Sequence, residues 1–479
     1  MDENAQKSGS RKLRRFLVVD VALLVIVLVV YGLWRMGSIN HLRARIVAIQ
    51  ARGEPILPED FDVPDADAPD NAGTDILAAI KLINGEDDAL TSVQKLSPAL
   101  PLRPPERDAI AKLSAQSGEI FKRLEAAMSK PRAVMNPQIR TPTINFLAPQ
   151  LKGLRSLATF IGDDALLAHE RGNDATAMHR IDQLLLLSRY ADTHPTLMGH
   201  LVAGGISGIA ADCAFQMAPD LNIGTSAQQV SPEHLRQTFD QLLDDRLRAD
   251  AWRRAILGEQ MRQFDLFNVI ANGTPVQMVP NQPPQPYFNS KGRFVMQPLI
   301  NNNTSTALDY MTKIIPVTSE TNLPAARSKM PAAPDRNSIA NALLSILLPA
   351  FDRAFEAHFR SETDRHLAAT VLAIRWYAVE HDGKYSQDLG ALVPKYLPAI
   401  PSDPMAPAGK SLRYVAGATP AVYSVGVNAI DDNCDGADKR GDRYSWASLD
   451  HVIPLVLPPR PLEDEEDVEN PSTQPTTSP

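Results

Sequence analysis

Residues Phe16 to Trp34 read FLVVDVALLVIVLVVYGLW. As a helix rising 1.5 Å per residue this run is about 29 Å long, the thickness of a bilayer's hydrocarbon core. Asp20 is its only charge, and it lies one turn from the start, where its carboxylate reaches the headgroups at small cost. Tyr31 and Trp34 close the run as an aromatic belt does. No small-x-small cleavage site follows Trp34; Arg35 and Met36 come next. The reading is therefore a retained signal anchor over 16–36, which makes the membrane the first partner. Arg11, Lys12, Arg14 and Arg15 crowd the N-terminal flank, whereas Arg35, Arg43, Arg45 and Arg52 follow more loosely. That asymmetry predicts a cytoplasmic segment over 1–15 and a body outside the cytoplasm, as in a single-pass inner-membrane protein.

Beyond the anchor, 479 residues leave room for two or three domains. A net charge of −8 excludes a nucleic-acid binder, which needs a basic face to neutralise phosphate. Two cysteines, Cys213 and Cys434, make no disulfide framework; they read as a buried helix thiol and an unrelated loop thiol, the alternative being one bridge in an oxidising compartment. Leu42, Ile46 and Ile49 have helical spacing, and Gly53 and Pro55 stop that helix. The acidic, proline-rich stretch that follows places a stalk or linker over 37–70. From 71 to 271 the stripes are helical, for instance Ile110, Leu113, Phe121, Leu124 and Met128. Breaks at Gly172 and Pro195 predict antiparallel helical hairpins, with Asn173 and Ser231 as N-caps. Residues 272–335 are rich in Asn, Gln and Pro and read as an irregular linker with one helix around Thr306 to Ile315. A second folded module spans 336–457. The acidic, proline-rich tail 458–479 lacks the apolar residues for a core and reads as disordered.

Chemistry is harder to find. The histidines show no zinc spacing, and His169-Glu170 lacks the second histidine of a zincin helix. His194 and His200 flank a helix start, where capping or surface roles are the default. Gly204-Gly205-Ile206-Ser207-Gly208 has glycines but no following lysine, so close helix packing outweighs a phosphate loop.

The segment from Ala368 to Gly426 is more specific. A helix ending in Tyr377 leads to Asp382-Gly383-Lys384-Tyr385. Then come Leu392-Val393-Pro394-Lys395-Tyr396-Leu397-Pro398, Ile400-Pro401 and Asp403-Pro404. Strands follow at Leu412-Arg413-Tyr414 and Tyr423-Ser424-Val425-Gly426. This series resembles the globular part of the major pseudopilins of type II secretion systems. The resemblance implies a C-terminal α+β, pseudopilin-like module; with the transmembrane helix and the helical-hairpin body read from apolar length and periodicity, the fold expected is mainly α. Departures count against fibre assembly. The anchor lies over 300 residues upstream, and Met405-Ala406 stand where the family tends to have Trp-Gly.

After the last of these strands comes an acidic loop. Asp431, Asn433 and Asp435 offer oxygens at alternate positions, Gly436 turns the chain, and Asp442 holds the twelfth place, the spacing of a calcium loop. No helix enters it, so it is not an EF-hand. The resemblance adds calcium at the same place in pseudopilins. The function expected is a non-catalytic, extracytoplasmic envelope protein that presents interaction surfaces to a protein partner, secretion- or pilus-related by resemblance. The alternative is a calcium-dependent or metal-assisted hydrolase.

Overall fold

The computed structural model describes residues 3–143, 149–277, 283–335, 344, 350–436 and 446–456. It is mainly helical, 63% helix against 5% strand, with one small sheet near the C-terminus.

Helix α1 runs unbroken from Glu3 to Ala51. It is long and apolar enough to span a membrane, and none of its apolar window is covered by the rest of the chain. The helix stops at Gly53, whose φ of 68° is open to a residue without Cβ and lets Glu54 N–H reach back to the Ile49 carbonyl. The expected stalk is thus partly wrong. Residues 37–51 continue α1 and pack on α11 (Ser290–Ile314), because Leu42, Ile46 and Ile49 gain an apolar partner in Leu308.

The body is built from α2 (Gly73–Ile83), α3 (Asp87–Gln94), α4 (Pro104–Gln116), α5 (Gly118–Met128), α6 (Pro149–Glu170), α7 (Asp174–Asp192), α8 (Leu197–Met217), α9 (Pro232–Leu242) and α10 (Asp245–Asn272). Asn173, Thr196 and Ser231 accept hydrogen bonds from Thr176, Gly199 and His234 N–H, capping α7, α8 and α9 as the local sequence dictates. Helix α9 ends at Leu242, and Asp244, accepting from the Leu247 N–H, caps α10. Helices α6, α7 and α8 form the antiparallel hairpins that the breaks at Gly172 and Pro195 require. Helix α8 is also long and apolar enough to cross a membrane, but half of it is buried among its neighbours, which makes it a core helix. Gly258 lets α10 ride directly on the α7–α8 turn: a Cβ there would overlap the Pro195 carbonyl oxygen at 1.5 Å.

Helix α12 (Leu323–Lys329) and the thirty-residue α13 (Phe351–Glu380) complete the helices. The linker expected over 272–335 is overturned. Its apolar residues Ile300, Leu308, Met311 and Ile314 recur at helical spacing and are buried, and this holds α11 in the fold despite Pro298. The separate module over 336–457 does not stand apart either. The lower half of α13, with Leu367, Val371 and Ile374, shares one core with α2 and with α4 to α9. Its upper half, with Phe351, Phe355 and Phe359, joins a second core with Trp252, Met311 and Met405.

Asp382 and Gly383, both with φ in the left-handed region, turn the chain out of α13, as the sequence predicts. Strands β1 (Arg413–Val415), β2 (Ala421–Ser424) and β3 (His451–Pro454) then form an antiparallel sheet in that order. Val422 faces Tyr414 on one side and Ile453 on the other. The third strand carries no signal beyond its Val and Ile and went unread in the sequence.

Because α13 is the shared wall of both cores, Leu372→Ala is expected to cost about 2–5 kcal/mol in urea unfolding of the detergent-solubilised protein. Leu28→Ala on the uncovered face of α1 should leave that value unchanged. A body that keeps its stability after Leu372→Ala would separate α13 from the core.

Candidate functional site

The residues that the phenylalanine stripe of α13 hides are polar. His358, Ser361, Glu362, Arg365 and His366 lie three or four apart in FEAHFRSETDRH, and all five are buried. Burying such groups costs several kcal/mol each unless partners meet them. Three neighbouring helices supply those partners: Asp192 from the end of α7, His200 and Ser207 from α8, and Asp245 and Arg248 from the start of α10.

The contacts form a directed chain. Arg248 Nη1 donates to Asp192 Oδ2 at 2.9 Å. His200 Nδ1 lies 2.6 Å from Asp192 Oδ1, His200 Nε2 lies 3.0 Å from His358 Nδ1, and His358 Nε2 lies 3.3 Å from Glu362 Oε1. Burial lowers the pKa of His200 and drives that of His358 further down, so both rings are neutral. Burial acts the other way on Glu362 and lifts it to about 7. Asp192 stays below the usual carboxylate range because Arg248 and His200 outweigh its desolvation. One arrangement of protons satisfies every link. The Glu362 carboxyl donates to His358, His358 Nδ1–H donates to His200, and His200 Nδ1–H donates to the Asp192 carboxylate. A parallel branch holds Asp245 against His366 Nε2, 3.0 Å from both oxygens, while His366 Nδ1–H donates to the Ser402 carbonyl. Those bonds raise the His366 pKa against its burial.

Two cavities flank the network. The larger is a cleft of about 660 Å³ lined by Arg248, Arg365, Asp192 and Ser207 at its base. Arg189 and Arg254 stand on its wall, beside Leu185, Leu186 and Leu247. Desolvation lowers the pKa of Arg189 and of Arg254. At the base, Arg365 is 3% exposed and its Nη1 makes no hydrogen bond; the Asp245 carboxylate lies 3.6 Å away. Arg248 Nε is likewise buried without a hydrogen bond. The smaller cavity, about 240 Å³, meets His200 and His358 from the other side and is bounded by Arg360, Asp364 and Trp446. Trp446 stacks on His451, whose Nε2 lies 3.0 Å from Asp364. The relay from Asp192 to His358 therefore connects the two cavities.

The residues singled out in the sequence fare differently. Asp431 is held by Arg413 at 2.8 Å and by the Tyr423 hydroxyl at 3.2 Å. Asn433 adopts a φ of 58°, and both it and Asp435 are exposed. Asp442 lies outside the described residues. Among the described residues no three His, Cys, Asp or Glu side chains converge as a metal site. His194 and His200 are buried rather than at the surface, because the α7–α8 turn is covered by α10 and α13. Gly204 packs against Ser361 as expected, whereas Gly205 and Gly208 face open space at the smaller cavity. His169 joins Asp174 and Asp220, and both cysteines are free thiols. The network itself was missed. Its one signal in the sequence is four ionisable residues at helical spacing along an otherwise apolar stripe.

No family model, no curated protein and no solved structure matches this chain.

Glu362 makes stability fall as pH rises. Its folded pKa of about 7 exceeds its ordinary 4.5, so between those values the folded protein keeps a proton the unfolded chain has released. The stabilisation present below pH 4.5 should be lost by pH 7, on the order of 3 kcal/mol at most. Glu362→Gln, which keeps a neutral partner for His358, should flatten that slope. An unchanged slope in equilibrium unfolding from pH 4.5 to 7.5 would place the titration elsewhere.

Proposed function

We propose that this chain is a membrane-anchored, extracytoplasmic binding protein whose body receives a small organic anion with an apolar portion. The observation that carries this is the gathering of guanidinium groups along one roomy cleft, with Arg248 and Arg365 in its lining beside Arg189 and Arg254. A guanidinium fork matches a carboxylate or phosphate bidentately, and a site out of bulk water makes that pairing strong. On the cleft wall Lys130, Arg132, Arg189 and Arg254 outnumber Asp240, Asp244 and Asp250, which leaves the wall positive. Leu185, Leu186 and Leu247 offer an apolar surface for the rest of the ligand. The anchor, the extracytoplasmic side and a secretion- or pilus-related role belong to the same proposal. They are supported by the apolar length of α1, by the basic cluster before it and by the pseudopilin-like run after α13. Calcium in the 431–442 loop also stays a proposal, resting on ligand spacing; Arg413 would have to release Asp431 to the ion.

Octyl phosphate is a suitable probe. Calorimetric titration should show binding to the parent protein, and Arg189→Gln/Arg254→Gln should weaken it at least tenfold without moving the melting temperature. With octyl sulfate, whose charge does not change with pH, binding should weaken as pH rises through about 7, because Glu362 then adds a negative charge beside Arg365. Equal affinity for octanol, or no loss in the double variant, would remove the anion reading.

For the loop, calcium at a hundredfold excess over its dissociation constant should add about 2.7 kcal/mol to the folded state. Asp435→Ala should abolish that gain. A melting temperature indifferent to calcium and chelator would make the loop a solvated acidic turn.

A further inference from the structure

Helices α1 and α11 lie side by side and run in the same direction. Tyr31 meets Phe294, Ser38 meets Asn301, Arg45 meets Asp309 and Arg52 meets Thr312. Positions 31, 38 and 45 of α1 and 52 just past its end are seven apart, with Leu42 and Ile49 in between on the same seam. On α11 Pro298, Asn301, Ser305 and Leu308 follow the matching rhythm and are buried. This is a short parallel coiled coil. Its register is pinned by the polar Asn301–Ser38 layer, 3.3 Å, and by the two-pronged Arg45–Asp309 pair at 2.6 and 3.1 Å.

That register fixes how far α11 reaches along α1. Its first turns extend past the body to Tyr31, inside the apolar run. The Tyr31 hydroxyl donates to the Phe294 carbonyl, the two rings lie 5.2 Å apart, and Arg35 sits 5.5 Å over the Phe294 ring. Tyr31 precedes Trp34 by three residues, so Phe294 stands about 4.5 Å deeper than the end of the run. Here α11 leaves large apolar side chains uncovered: Phe294 is 53% exposed and Val295 55%. Lys291 and Arg293 precede Phe294 in the same turn, so the parallel register sets them deeper along α1 than Phe294. Aromatic and aliphatic side chains left uncovered beside the end of an apolar run are the composition of a contact with the membrane interface.

We propose that the N-terminal turn of α11 meets the bilayer that α1 spans, with Phe294 and Val295 against lipid at the outer end of the apolar run. The inference rests on α1 being a membrane span. The occupant is lipid rather than a partner protein because the exposed residues are continuous with the uncovered face of α1 at the same depth. One helix alone leaves a body free to tilt and swivel. A second contact, rigidly registered to the first, sets the height and attitude of the cleft above the membrane.

The test uses the full chain in phospholipid nanodiscs, in a Cys213→Ala/Cys434→Ala parent. Single cysteines at Val25, Val47 and Val295 carry a nitroxide, and its collisions with oxygen and with a water-soluble nickel chelate are compared. Val47, on α1 and 57% exposed, lies about 20 Å beyond Trp34 and serves as the aqueous reference. The proposal expects a several-fold higher oxygen-to-nickel ratio at Val295 than at Val47, between Val47 and the buried-in-lipid value at Val25. If Val25 is lipid-exposed but Val295 matches Val47, the tip is in water and the proposal falls while the span stands. If Val25 itself is aqueous, the span reading falls and takes the proposal with it. A Val295 label shielded from both reagents would reveal a second protein surface and would also overturn the lipid contact.

Discussion

Arg248 and Arg365 sit where water does not reach, and that placement constrains the rest of the body. Moving a guanidinium ion out of water costs several kcal/mol, and only carboxylates in good geometry offset it. Asp192 does so for Arg248 from the end of α7, and Arg365 faces the Asp245 carboxylate of α10 at 3.6 Å. Helices α7, α8, α10 and α13 must therefore meet at one point and in one rotation about their axes, since turning any of them leaves a charge buried alone. Removing one partner of such a pair typically costs about 3–5 kcal/mol, more than most apolar truncations. Around this point the apolar residues fill in without deciding the arrangement: Trp252 stacks on His358 at 4.8 Å and meets Phe355 edge-on.

The same junction explains why the chain is not a string of modules. Helix α13 delivers its phenylalanines to one core and its Leu, Val and Ile residues to another, with the ionic residues between them. The strands and the proline-rich path after Gly383 close on the lower part of that helix, with Tyr396 set edge-on to Trp376. Helix α11 ties the upper core to α1 through an apolar seam at Leu308 and Ile49. An unbroken run of packed helices thus joins the apolar length of α1 to the walls of the cleft.

How much of this was legible depends on whether the information is local. The apolar run of α1, the caps at Asn173 and Ser231, the turn at Asp382-Gly383 and two of the strands follow from residues adjacent in sequence. Hydration, capping and left-handed φ act over a few positions, so the sequence by itself determined them. The linker over 272–335 was misjudged because its Asn, Gln and Pro content outweighed Ile300, Leu308 and Met311, whose value appears only when α1 and α10 cover them. The ion network lay further out of reach. His358, Glu362 and Arg365 gain meaning from Asp192, His200 and Arg248, which are more than a hundred residues away. No local pattern reports a partner at that distance. The tertiary structure alone decided that these charges are buried together, because the cost of desolvating each is offset only by the others.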